Sequence, residues 1–545
     1  MDKRTTTALF LMMGVIYLWM WMVPQPLPQQ VQQAALESET VVRERRGEAQ
    51  DSREMTSGSS YGNAVADRVS VEQVERRRVV VEGTNLRLVF DALGASIQRA
   101  EVLDHVYNTG HPDEGLPIVL FDAGDKRGGG SYWVDRVGGA VDLGEVVFDY
   151  DGLEQIQITE GRIAEVAFRA KLSDGTEVTR IYEVPGTGHV ITSRLDFDGD
   201  ARVGSYYFDW DVPLKATESS QKIDEDSFRG LVFEDARLED VQLKEVDKGE
   251  RKRFDGRISW AGARTRYFLV GVLPQVLEHW SVSVSGAQGE FDPEGFQFKL
   301  KKNRVQGGDF RDTQQIVIGP IDYDELLVLD RGVDRVVDFG GSFLRPISKV
   351  IFWVMEKLHE FVPSYGLVIV LISVLVKALF WPLTHKSYES MRAMRDLSPK
   401  IKALQKKFEG NPQKLQKETM GLYRDHGVNP LGGCLPMIVQ MPVLYAMFIV
   451  FRSTIAFRGQ GFLGYLPDLA APDPFYILPA VMGLTMLLQQ LLNKVEDPKQ
   501  RMMGILMPVI FTFVFLKMPS GLVLYWTISN IISMIQQALV NKRPA

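Results

Sequence analysis

At 545 residues the chain is long enough for more than one domain, and its single cysteine, Cys434, excludes an intramolecular disulfide and any metal site built from cysteines. A net charge of −7 argues against general nucleic-acid binding. The charge is uneven: residues 385–428 hold ten Lys/Arg against five Asp/Glu, which leaves the rest of the chain at about −12. Apolar residues gather at the extreme N-terminus and after about residue 343, while the middle reads as a soluble domain.

The N-terminal Lys3 and Arg4 precede an apolar run from Ala8 to Val23. A basic flank before such a run is an export signal. Without a convincing A-x-A site before Pro24, an uncleaved signal anchor over 1–23 is expected, with a cleaved signal peptide as the alternative. The basic flank places the N-terminus in the cytoplasm. Residues 24–78, rich in Gln, Glu, Arg, Ser and Pro, read as a flexible periplasmic linker.

From residue 79 to 342 the pattern is one of short strands. Leu86–Phe90, Glu145–Tyr150, Glu165–Leu172 and Glu177–Tyr182 are β-branched or aromatic-rich, and Asp174-Gly175 predicts a hairpin turn between the last two. The expectation is a large antiparallel β-sandwich on the periplasmic side. Its histidines, His105, His111, His189 and His279, form no metalloprotease motif, and neither a Walker loop nor a nucleophile elbow occurs. Gly128-Gly129-Gly130 reads as a loop. No catalytic residue, metal or cofactor is predicted.

Residues 343–361 are amphipathic, with Phe343, Ile347, Val350, Ile351, Val354 and Leu358 at helical spacing opposite Lys349, Glu356, Lys357 and Glu360. Such a helix lies in the membrane interface or packs on the β domain. Five spans follow in residues 362–541: Tyr365–Leu383, Leu431–Phe451, Phe475–Leu492, Met503–Leu516 and Leu522–Val540. The basic segments 385–428, 493–501 and the tail 542–545 alternate as cytoplasmic. Arg452, Arg458 and Lys517 run against this assignment, but the inside excess is larger. The architecture is thus a polytopic α-helical membrane bundle of six spans with a large periplasmic β-sandwich.

Segment 385–428 carries two apolar stripes on either side of Gly410-Asn411-Pro412, which predicts a helical hairpin of coiled-coil type. Lys400, Lys402, Lys406, Lys407, Lys414 and Lys417 fall on its exposed side and suit an anionic partner such as ribosomal RNA or lipid headgroups. An ordinary positive-inside loop would explain the charge but neither the length nor the stripes.

Lys377 lies about twelve residues into Tyr365–Leu383. A lysine at such depth costs about 2.5–3.5 kcal/mol on insertion scales, so it is a functional candidate. Snorkelling to the cytoplasmic interface is the ordinary alternative. The other spans contain no Asp or Glu, so its charge must be met by water, polar side chains or lipid phosphate. Ser373, Lys377 and Thr384 share one helix face; Thr485, Gln489 and Asn493 make a second polar stripe; Tyr525, Ser529, Ser533 and Gln536 make a third. Each alone would be interhelical glue. Together with an unpaired cation they predict a shared groove open to the cytoplasm.

These residues carry a resemblance. Asn429-Pro430-Leu431-Gly432-Gly433-Cys434-Leu435-Pro436 running on to Gln440-Met441-Pro442, then Asp473-Pro474-Phe475-Tyr476-Ile477-Leu478-Pro479, then Pro519-Ser520-Gly521-Leu522-Val523-Leu524-Tyr525 resemble segments of the YidC/Oxa/Alb family of membrane protein insertases. The order of anchor, periplasmic domain, amphipathic helix and five-span core is similar to the family's Gram-negative form. The resemblance implies a hydrophilic groove in the inner leaflet, closed toward the periplasm, where a family arginine receives the polar part of an incoming chain. Lys377 matches that position, so the charge is kept and the forked geometry lost. Ser373 and Tyr525 match positions at the groove's inner end, and Thr384, Gln440, Gln489 and Ser529 are expected around it. The substrate's apolar segment would slide along Leu431–Phe451 and Met503–Leu516, where Met437, Met441, Pro442 and Met507 lie; the methionines suit varied side chains or simply fill the core. The resemblance also implies a β-supersandwich of galactose-mutarotase type without sugar chemistry, an ATP-independent function in the bacterial inner membrane, and the Sec translocon and translating ribosomes as partners. Rival classes are a small-solute or lipid transporter, which inverted repeats would favour, and a membrane-anchored carbohydrate-binding protein or enzyme.

Overall fold

The computed structural model describes residues 76–542, apart from 109, 137–138, 199–202, 220–226, 247–249, 277–279, 287–294, 304–309, 429–434 and 493–497. The expected anchor and nearly all of the expected linker lie outside the described residues, as do Cys434 and most of the Asn429–Pro436 segment. The chain divides into two compact units, one holding the β domain with the apolar helices and one holding Asp396–Asn429.

The β domain is built of three sheets, with five, eight and six strands among the described residues. The alternation seen in the sequence becomes burial. In Val190–Phe197 every second residue, Ile191, Ser193, Leu195 and Phe197, is buried, as a strand with one covered face requires. This strand pairs antiparallel with Glu177–Pro185 on one side and Phe310–Pro320 on the other. The expected hairpin is present: Ile163–Lys171 pairs with Glu177–Pro185, and Gly175 takes φ +88° at the turn, a conformation that suits glycine. Two expectations are corrected. Glu145–Tyr150 is not a strand; a short 3-10 turn at Leu143–Glu145 runs into isolated bridges at Val147 and Asp149. Pairing is not wholly antiparallel either, because Val80–Glu82 runs parallel to Gln155–Gln157.

One polar cluster inside the sandwich is centred on Asp312. Tyr132 and Tyr206 donate to the two oxygens of Asp312 at 2.6 and 2.8 Å, and the Gln314 amide donates to it at 2.8 Å. Gly128 and Gly129 form the expected loop, packed so tightly on Ser96–Gln98 and Trp210 that an added Cβ would collide.

Helix α1 (Tyr323–Val328), capped by Asp322, leads from the β domain to α2 (Arg345–His359). Helix α2 has one buried and one exposed face. Ile351, Phe352 and Met355 are buried, and Lys349 Nζ donates to the Tyr323 hydroxyl at 2.9 Å, while Val350 and Trp353 are exposed.

The expected span Tyr365–Leu383 is broken. Helix α3 (Tyr365–Leu379) ends where α4 (Trp381–Asp396) begins, at a 63° bend. Pro382 accounts for the break, since it has no N–H for the carbonyl of Ala378 and its ring crowds that turn. Thr384 therefore sits on α4 rather than α3. The hairpin's first half is also split: α5 (Ser398–Lys407) begins just before Pro399 and pairs with α6 (Pro412–Asp425), capped by the Asn411 side chain. Four apolar helices complete the chain: α7 (Leu435–Ser453), α8 (Ile477–Leu492), α9 (Pro498–Phe515) and α10 (Ser520–Lys542). Among the described residues Ser520–Val540 alone is a continuous helix long and apolar enough to cross a membrane, with the bent pair α3–α4 as a second candidate and two shorter apolar stretches in α8 and α9.

The helices turn apolar side chains outward. Leu367, Leu371, Val374 and Leu379 of α3 are exposed, as are Leu484 and Leu488 of α8 and Leu506 and Phe513 of α9. Contiguous exposed faces of this kind mark a membrane or partner-protein surface.

Candidate functional site

The polar residues of the apolar helices converge. Helix α10 packs against α3 and α8 and touches α7, while α7 leans chiefly on α2. Tyr525, Ser529, Ser533 and Gln536 recur at intervals of four, four and three, so they line one face of α10 over about 16 Å. All four are at least 95% buried. Ser373 and Lys377, one turn apart on α3, face the same interior and are buried as well.

Lys377 is 6% exposed. Its ammonium donates to Ser533 Oγ at 2.8 Å and to Gln440 Oε1 of α7 at 3.2 Å. Ser533 passes the contact on, its hydroxyl donating to the Ser529 carbonyl at 2.8 Å. Helices α3, α7, α8, α9 and α10 contain no Asp or Glu, so the cation is held by neutral oxygens alone. Burying a charge without a counter-charge is costly, and three neighbouring polar groups deepen the cost. The Tyr525 hydroxyl points toward Ser529 and Gln440 without closing a hydrogen bond to either, and Ser529 Oγ and the Gln536 amide have no partner among the described residues. Orphaned groups in a polar seam of this kind are natural water positions.

The other expected site residues divide. Ser373 is buried, but its hydroxyl turns back to the Ile369 carbonyl at 2.6 Å. Thr384 is buried on α4 and bonds the Phe380 carbonyl. Gln489 lies half-buried against the Tyr388 hydroxyl rather than at Lys377. Met441, Pro442 and Met507 are half-buried; Met437 lies on α7, but its side chain is outside the described residues. Lys400, Lys402, Lys406, Lys407, Lys414 and Lys417 are all exposed.

Sequence reasoning passed over two groups of residues. Tyr388 of α4 is buried and donates to the Ser533 carbonyl at 3.4 Å, so the seam continues past the bend. Its position one turn after Thr384 was the available signal. The second group is Arg458, Glu218, Asn108 and Asp468, distant in sequence, which join the β domain to the loop after α7. Arg458 had stood only as a cation against the topology rule.

Residues 78–354 match the family described as YidC periplasmic domain, and residues 357–545 match the 60Kd inner membrane protein family. The chain belongs to the YidC family. Proteins named membrane protein insertase YidC are similar to it over most of its length. That of Cupriavidus taiwanensis is 30% identical, covering 85% of this chain and 82% of its own. That of Geobacter metallireducens is 28% identical over 99% of this chain and 98% of its own, and that of Syntrophus aciditrophicus 39% identical over 56% of each. A crystal structure of an active YidC insertase with its first transmembrane domain resolved covers 87% of this chain and 95% of its own, at 19% identity and a TM-score of 0.39. This chain has the YidC-family plan of a β-rich domain followed by C-terminal helices, and the Lys377 seam lies wholly within the second part.

Proposed function

We propose that this chain is a membrane protein insertase of the bacterial inner membrane, and that the seam around Lys377 is where an incoming chain's polar segment is received. Its relatives bear the insertase name over most of their length. The observation that carries the site is the buried ammonium of Lys377, held only by Gln440 and Ser533 beside the unpartnered Tyr525, Ser529 and Gln536. A bundle selected for stability alone would fill this space with apolar side chains.

In this reading a polar segment enters the hydrated seam part-way across the bilayer and is drawn by the Lys377 charge. The substrate's apolar helix then slides along α7 and α9, past Met437, Met441, Pro442 and Met507, into lipid. Burial of that helix supplies the driving force, so neither nucleotide nor cofactor is needed. The reading carries six spans, counting 8–23 and treating Tyr365–Leu383 as a span that bends at its inner end. It places the N-terminus and the 385–428 hairpin in the cytoplasm, the β domain in the periplasm, and the seam's opening toward the cytoplasm. The hairpin lysines would meet the ribosome, and the Sec translocon would be a second partner.

Depletion of a host insertase, with complementation by this chain, tests the site. Wild type and Lys377→Arg restore insertion of model substrates, scored by protease protection, while Lys377→Ala does not. Full insertion with Lys377→Ala removes the lysine from the mechanism.

A further inference from the structure

The loop between α7 and α8 is fastened to the β domain by a buried ion pair. The Arg458 side chain is 2% exposed and the Glu218 carboxylate 10%; Nε and Oε1 are 2.7 Å apart. Two more guanidinium nitrogens donate to backbone carbonyls of the β domain, Val106 at 2.8 Å and Thr217 at 3.2 Å. The guanidinium also faces the rings of Phe268 and Tyr267, at 5.6 and 6.0 Å. A charge this enclosed is tolerated only when its donors are matched, and here they are matched by one domain.

The same loop reaches both helices that hold Lys377. Arg458 follows the end of α7, the helix of Gln440, where Ser453 Oγ donates to the Asp338 carbonyl at 2.7 Å. Ten residues on, Asp468 accepts from the Asn108 amide of the β domain at 2.6 Å, and its carbonyl accepts from Ser520 Oγ at 2.9 Å. Ser520 opens α10, the helix of Tyr525 and Ser533.

We propose that Arg458 is a positioning residue: it straps loop 454–473 to the β domain and thereby fixes the outer ends of α7 and α10, so that Gln440 and Ser533 stay spaced for Lys377. The β domain is then a brace for the seam rather than a module on a free tether. This rests on the insertase reading above.

The test uses the full-length chain carrying Cys434→Ser, with Asn108→Cys and Asp468→Cys joined by a short bismaleimide, and insertion of a model substrate as readout. Arg458→Ala without the bridge lowers insertion at least about tenfold, because removing one partner of a buried pair leaves the other charge uncompensated. With the bridge, insertion returns to the level of the bridged chain that keeps Arg458, because the covalent link does the work of the ion pair. Normal insertion by unbridged Arg458→Ala overturns the proposal, and so does a folded, trypsin-resistant Arg458→Ala chain that bridging fails to restore. Should Arg458→Ala not accumulate, Arg458→Lys takes its place: it reaches Glu218 but loses the two carbonyl contacts, and the same outcomes apply. If the insertase reading itself is wrong, the wild-type chain also fails to insert, which separates the two failures.

Discussion

Lys377 is held by two neutral oxygens where a stable core would hold a hydrocarbon. Lys377→Met keeps the length of the side chain and removes the buried charge. Because replacing a poorly compensated buried ion by an apolar group is neutral or stabilising by about 1–4 kcal/mol, this variant should match or exceed wild type in thermal stability in detergent while inserting less substrate. A joint loss of stability and insertion would mean that Lys377 is structural. In the β domain, His189 is buried between two carboxylates, with Nδ1 2.9 Å from Glu325 and Nε2 3.5 Å from Asp104. Burial opposes its charge, but the facing carboxylates prevail and raise its pKa to about 9. The folded value lies above the unfolded value of about 6.5, so the clamp's contribution is complete below pH 6.5 and is lost as pH rises through 9. Asp104, though burial opposes its charge too, is held well below the carboxylate range by His105, His189 and Asn85. Denaturant melts should therefore show stability falling between pH 6.5 and 9 by an amount up to about 3 kcal/mol, and His189→Gln should flatten that slope.

At the scale of elements, α3 meets the loop after α7 with a glycine against an aromatic ring. A Cβ on Gly366 would collide with the Phe462 ring. Gly366→Ala should cost about 1–3 kcal/mol by overpacking, read as a lowered melting temperature, with relief from Phe462→Leu in the same chain. The hairpin behaves differently. Lys400, Lys402, Lys406, Lys407, Lys414 and Lys417 are exposed on it, so changing the first four to Glu should leave folding unaltered and weaken ribosome co-sedimentation. Wild-type binding should itself fall steeply with salt. Apolar periodicity located α2, α8, α9 and α10 to within a few residues, because the membrane and the core both select on hydropathy. It missed the break after Leu379, because Pro382 lies inside an otherwise apolar run and its effect is geometric. It also read Glu145–Tyr150 as a strand, since its alternating pattern fits single bridges as well as a ladder.

For the whole molecule, the seam was half legible. Spacing alone put Tyr525, Ser529, Ser533 and Gln536 on one face and gave Lys377 no carboxylate. Which neutral oxygens it would find, Gln440 and Ser533, depends on how three helices cross, and Gln489 went to Tyr388 instead. The contact of Arg458 with Glu218 was not legible, because 240 residues separate them and neither belongs to a local pattern. The proposed function makes one central claim, that insertion is driven by burial of the substrate's own apolar helix. The direct measurement is insertion of a short single-span protein into liposomes containing only the purified chain, with nucleotide absent, followed by protease digestion. The account predicts protected substrate with wild type and Lys377→Arg, well above empty liposomes and above Lys377→Ala. Equal protection in empty liposomes, or protection only when nucleotide is added, would contradict it.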